Sequence, residues 1–241
     1  MPVKITPHFA FLESQMLASR YSVGSRAVYT PFRWPEFKDW ATVRLSTIGD
    51  GSCLFHALCL AFYIPYRTEP ERRREIVVAM RKDLAARLGM PGSDGQRPYD
   101  RLFGGNVARF AAEVGRIAPE VDFSFEGMKA TLESPEQFVG TGYLGFIADQ
   151  IQKDIIILHH DRQSVYVTGS RQEEAAALIK GRPTIVLYYV NEHFDLVGVS
   201  GSSGIITLFA PEDSFIVALR KTIGFDLPLK SEKEILHFPL M

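Results

Sequence analysis

Apolar residues recur along this chain in two rhythms. Leu54, Phe55, Ala57, Leu58, Leu60, Ala61 and Phe62 are dense enough to predict a buried helix, and Gly49 and Gly51 loosen the turn that leads into it. Ile76, Ala79, Met80, Leu84 and Leu88 follow helical spacing and predict a second helix over 71–88. Thr68-Glu69-Pro70-Glu71 opens it with a capping-type signal, a proline and acids in the first turn. Arg72, Arg73, Arg74, Arg81, Lys82 and Arg87 are expected on its solvated face. Weaker helical patterns cover 107–117, 125–132 and 143–151, and the alanine-rich 173–179 is a short helix or loop.

The second rhythm belongs to strands. Asp154-Ile155-Ile156-Ile157-Leu158 is β-branched and apolar on both faces, which predicts a central strand. A hairpin turn at 161–164 leads to Val165-Tyr166-Val167, and Ile185–Val190 reads as another buried strand continued by 194–199. Ala41–Ser46 predicts a strand entering the glycine-rich turn. Helix followed by strand predicts an α/β (α+β) fold with a small central mixed sheet flanked by helices. Residues 1–40 form an arm packed on the core, with an amphipathic stretch over 9–21 and a proline-interrupted row of aromatics at 28–37. Residues 41–200 form the body of the fold. Beyond a flexible break at 200–204, residues 201–241 form a C-terminal extension, whose apolar run 205–209 and helix 211–223 are expected to cap the sheet.

Composition narrows the classes of function. A 241-residue chain that is 46% hydrophobic and 23% charged is expected to be a soluble globular protein with one core. A net charge of −1 recommends neither nucleic acid nor an anionic membrane as partner. No apolar run reaches the roughly 18 residues of a membrane span, and Met-Pro-Val-Lys-Ile-Thr-Pro is no signal peptide, so a cytoplasmic monomer is expected. The two cysteines, Cys53 and Cys59, lie six residues apart on one predicted helix, where they point to different sides and form neither a disulfide nor a metal pair. Cys59 reads as a small core hydrophobe.

Cys53 carries the chemistry. It stands at the predicted helix N-terminus, where the macrodipole and unsatisfied N–H groups lower a thiol's pKa and can stabilise an oxyanion. A base with an orienter lies far downstream: His193 and Asp195, two apart on a strand, point to one face, so the carboxylate can fix the imidazole's tautomer. His56, three residues after Cys53, is a rival base, but no carboxylate at a fixed spacing orients it and packing or channel lining is its expected role. His159-His160-Asp161 carries metal-ligand side chains, yet adjacent residues on a strand face opposite ways and no metal is expected there.

Asp50-Gly51-Ser52-Cys53-Leu54-Phe55-His56-Ala57 and His193-Phe194-Asp195 together resemble the ovarian-tumour (OTU) family of cysteine proteases, papain-like enzymes with these blocks in this order. The resemblance spans about residues 40–200. It implies that Cys53 is the nucleophile, His193 the general base and Asp195 the third triad member, and that Asp50 shapes the oxyanion loop. It implies a deubiquitinase acting on ubiquitin, polyubiquitin chains or a ubiquitin-like modifier without a cofactor. It further implies that asparagine is tolerated at position 195. The chain departs from the family at Phe138-Val139-Gly140-Thr141-Gly142-Tyr143, which lacks a tryptophan and an acidic residue. A non-catalytic ubiquitin-binding module of the same fold and a cysteine amidase or acyl transferase are the alternative readings. A stand-alone domain with extensions suits a viral or bacterial effector in a host cytosol as well as a cellular enzyme.

Overall fold

The β-branched runs become the interior of a mixed sheet. In the computed structural model, which describes residues 21–23, 29–106, 122–160, 164–167, 181–202 and 204–222, the chain opens with β1 (Tyr21–Val23), β2 (Thr30–Pro31), a 3-10 turn at Pro35–Phe37 and β3 (Thr42–Leu45). Helices follow: α1 (Cys53–Phe62), α2 (Ile64–Thr68), α3 (Arg73–Leu88), α4 (Pro98–Arg101), α5 (Phe125–Glu133) and α6 (Leu144–Ile151). The chain then returns to the sheet with β4 (Asp154–His159), β5 (Ser164–Val167), β6 (Thr184–Val190), β7 (His193–Gly201) and β8 (Gly204–Leu208), before α7 (Ser214–Thr222). The helices expected at 107–117 and 173–179, most of the stretch 9–21 and the turn residues 161–163 lie outside the described residues.

Strand order is β1-β8-β7-β6-β4-β5, with β3 on the other edge of β7 and β2 on β3. Among the described strands only β4 and β6 run parallel, in register from Asp154 opposite Thr184 to His159 opposite Tyr189. A parallel pair needs both faces covered, and the alternation of side chains supplies two apolar layers. Ile155, Ile157, Ile185, Leu187, Phe194 and Leu196 face a core built with α1, α3, α5 and α6. Ile156, Leu158, Val186, Tyr188 and Val197 face a second core with Trp34, Phe37, Phe209, Phe215, Ile216 and Leu219. The aromatic arm and α7 therefore cap the sheet, with Phe37 and Phe215 edge to face at 5.4 Å.

Three expectations need correction. The glycine-serine run at 200–204 is a hairpin, not a flexible break, because Gly201 pairs with Gly204 and β8 lies in the same sheet. Thr68 caps no helix: it ends α2, donates to the Ile64 carbonyl, and α3 starts after a 3-10 turn at Pro70–Arg72. Arg81 is not on the solvated face of α3, since its side chain is wholly buried. Its position explains why: it falls between Val77 and Ala85 at four-residue spacing, in the middle of the apolar stripe. No helix among the described residues is long and apolar enough to cross a membrane.

Candidate active site

Cys53 is the first residue of α1, after Ser52, and is 3% exposed. The helix begins here because Gly51 adopts φ +84°, which turns the chain tightly against the Glu136 carbonyl, and the His56 N–H then closes the first turn on the Ser52 carbonyl. A Cβ on residue 51 would lie 2.4 Å from the Glu136 oxygen, so glycine is required by space as well as by angle. Ser52 Oγ donates to the Pro135 carbonyl at 2.6 Å and accepts from Arg81 Nη1 at 3.0 Å. Arg81 also donates to the carbonyls of Leu132, Thr131 and Gln137 and sits 4.6 Å over the Phe55 ring. The buried guanidinium thus ties the cysteine loop to residues 131–137. Burial pulls its pKa down to about 10, so it stays charged at neutral pH.

Asp50 braces the same loop. Its Oδ1 accepts the Ser52 N–H at 3.1 Å and its Oδ2 meets His56 Nε2 at 3.2 Å, with Arg74 Nε 3.6 Å away. The other nitrogen of His56 bonds the Tyr66 hydroxyl at 2.7 Å. His56 therefore does have an orienting carboxylate, contrary to the expectation from spacing, but both of its nitrogens are committed and the ring is fully buried. Burial lowers its pKa, against the hydrogen bond it gives to Asp50, which raises it. Its role is to anchor Asp50.

His193 begins β7 directly after a tight turn in which Asn191 and Glu192 both take left-handed angles, φ 49° and 58°. Its Nε2 lies 3.1 Å from Asp195 Oδ1 and 3.1 Å from Thr47 Oγ1. The Thr47 hydroxyl spends its own proton on the Phe194 carbonyl at 2.6 Å, so its oxygen faces the ring as an acceptor. Two acceptors at Nε2 hold the proton there and leave Nδ1 as the basic nitrogen. A Cβ on Gly49 would stand 3.9 Å from that Nδ1, which puts the glycine-rich loop against the ring. Asp195 is fully buried and accepts, besides His193, the Thr47 N–H at 2.8 Å and Arg44 Nε and Nη2, each at 2.5 Å.

The Cys53 thiol is raised above its ordinary pKa because burial outweighs the N–H groups of Phe194, Leu54 and Cys53 that bond it and lower it. The expectation that the helix N-terminus would lower it is thus overturned by desolvation. Of the groups that lower it, the N–H of Phe194, between His193 and Asp195 in sequence, acts most strongly and links the two blocks. Phe194 in turn stacks on Phe138 at 5.9 Å and tilts against Tyr189 at 4.7 Å, so the stretch 138–143, which has no tryptophan, supplies an aromatic side chain against β7. Cys59 is buried with its thiol 3.5 Å from the Met80 sulfur. His160 Nδ1 bonds the Tyr188 hydroxyl at 2.7 Å, and no group of three His, Cys, Asp or Glu is placed to hold a metal ion among the described residues.

The fold is similar to that of ovarian-tumour domains. A solved ovarian-tumour domain in complex with ubiquitin matches at TM-score 0.43 and 14% identity, over 85% of this chain and 89% of that one. The viral ovarian-tumour protease of Taggert virus matches at TM-score 0.39 and 13% identity, over 77% of this chain and 96% of that one. That of Farallon virus matches at 0.37 and 15%, over 73% and 98%. No protein-family model and no curated protein matches the sequence.

Arg44, Thr47, Ser52, Arg81 and Phe138 contact these groups without being singled out by the sequence. Arg81 alone left a signal, an arginine inside an apolar stripe. The others are ordinary polar or aromatic residues whose place becomes visible only when β3, β7 and the 135–138 loop come together.

Proposed function

We infer that this chain is a cysteine protease that cleaves the isopeptide bond after the C-terminal glycine of ubiquitin or a ubiquitin-like modifier. The observation that carries the chemical part is the arrangement at His193: Asp195 and Thr47 both accept from Nε2, which leaves Nδ1 free to act as a base beside the cysteine loop. The substrate class rests on the resemblance of the blocks 50–57 and 193–195. In this reading Cys53 Sγ attacks the carbonyl carbon and its proton passes to His193 Nδ1. The imidazolium then protonates the leaving lysine amine as the C–N bond breaks, and a water deprotonated by Nδ1 hydrolyses the thioester, restoring the thiol. Because burial holds the free thiol neutral, proton transfer accompanies attack and a charge appears on the ring during that step. Asp195 stabilises that charge. The Ser52 N–H is occupied by Asp50, so the donors for the oxyanion come from the start of α1.

A ubiquitin probe with an electrophilic C-terminus tests this reading. Capture at Cys53, abolished in Cys53→Ala and kept in Cys59→Ala, supports it. Retained ubiquitin binding without capture would identify a non-catalytic binding module, and no binding with thiol-dependent hydrolysis of small amides would identify another cysteine amidase.

A further inference from the structure

We propose that Arg44 is a positioning residue of this site, whose guanidinium fixes the orientation of the group at position 195 and thereby makes an aspartate there obligatory. This rests on the triad reading above.

Arg44 lies on β3 opposite Val197 of β7, and Asp195 is the diagonal neighbour on the same face. The two meet as a fork on one oxygen, Nε and Nη2 both at 2.5 Å from Oδ2, with the Arg44 side chain 34% exposed and Asp195 fully buried. The guanidinium also lies 5.2 Å over the ring of Tyr188, the residue paired with Asp195 on β6. Oδ1 faces two further donors, the Thr47 N–H and the His193 ring. Every direction around the buried carboxylate is therefore occupied by a donor, and the group there must accept on both sides.

An asparagine accepts on one side only. With Arg44 present, the charged fork is the stronger claimant for the amide oxygen, since hydrogen bonds to an ionised donor are about twice as strong as neutral ones. The amide NH2 is then turned toward Thr47 N–H and His193. Nε2 then keeps the Thr47 hydroxyl as its one acceptor and faces a donor where Asp195 had been, so the balance shifts to the Nδ1–H form, which has no lone pair at the basic nitrogen. Without Arg44 the amide is free to turn over. Its oxygen then accepts from Thr47 N–H and from His193 Nε2–H, and the NH2 occupies the space the fork has left. The tolerance of asparagine implied by the family resemblance is thus withdrawn in this chain by one side chain outside the two sequence blocks.

The test is a cycle of Arg44→Met, which keeps an alkyl stem over Tyr188, Asp195→Asn and the double variant, read in two ways. The first is the tautomer of His193 from ring 15N shifts, which requires no substrate. The wild type and the double variant are expected as Nε2–H, and Asp195→Asn alone as Nδ1–H. The second is kcat on a ubiquitin isopeptide substrate. Asp195→Asn should fall at least about a hundredfold, toward the roughly 10⁴ seen when an asparagine selects the wrong tautomer in a serine-protease triad. The double variant should recover at least about tenfold of it. Arg44→Leu serves if Arg44→Met does not fold. A double variant no more active than Asp195→Asn, or an Asp195→Asn ring still in the Nε2–H form, overturns the proposal. If the wild type turns over no ubiquitin substrate, the functional reading fails, while the tautomer measurement still decides the role of Arg44.

Discussion

At the scale of single residues, the buried histidine one turn after Cys53 is the group with the clearest pH consequence. His56 is held neutral in the fold because burial lowers its pKa, and the groups facing it are Asp50, Tyr66 and the more distant Arg73 and Arg74. In the unfolded chain it titrates near its ordinary value of 6.5. Between that value and the lower folded one, the unfolded state binds a proton the native state does not, so stability falls as pH falls through this window. The expected outcome is a thermal midpoint that drops on acidification below about pH 6.5, and a flatter profile in His56→Gln. Equal slopes in the two proteins would show that His56 is not the group responsible. His56→Gln also releases one partner of Asp50, so turnover should fall severalfold, whereas His193→Ala should remove it.

Among elements, α3 shows how the site depends on a helix that carries none of its reacting groups. Arg81 reaches from α3 into four oxygens, three of them carbonyls of residues 131–137 and one the Ser52 hydroxyl. Arg81→Met fills much of the volume but leaves these buried acceptors without their donor, and each costs about 1–3 kcal/mol when left unpaired. A loss of at least about 3 kcal/mol in denaturant unfolding is expected, together with slower alkylation of Cys53 because Ser52 loses its tether. A variant as stable as the wild type would mean that water replaces the guanidinium without cost.

The elements themselves were largely legible. Dense or periodic apolar runs gave α1, α3, α5, α6 and the strands β4, β6 and β7, because each of these buries a face whose period shows in the sequence. The hairpin between β7 and β8 is not legible, since Gly-Ser composition suits both a linker and a tight turn, and only the partner strand distinguishes them. The site divided the same way. Cys53, His193, Asp195 and Asp50 stand in short blocks that can be read locally, whereas Arg44 and Thr47 act across β3 and β7 at a separation of about 150 positions and carry no local pattern. The direction of the Cys53 pKa shift is hidden for a related reason: the helix N-terminus is visible in sequence, but the depth of burial that opposes it is not.

For the whole molecule, the sheet has a core on each face, and His193 is carried by a strand that lies between them. Phe215 of α7 packs on Phe37, Trp40 and Phe209 in the layer away from α1. Phe215→Ala should cost about 3–5 kcal/mol. It should leave kcat near wild type below the melting range, and activity and structure should melt together at a lower temperature. A variant that loses activity well before its structure would show that the second layer supports the site locally.

The double-edged pairing of β7 has one more consequence. Leu196 and Val197 are bonded to β3 on one side and β6 on the other. A slip of one residue along either partner would turn Phe194 and Leu196 out of the helix-side core and swing Asp195 into it, a carboxylate among aliphatic side chains. The positions that place His193 are thus proofread by the positions that fold the protein: a chain with His193 out of place is also a chain with its oil and its charge exchanged, and such a chain does not fold.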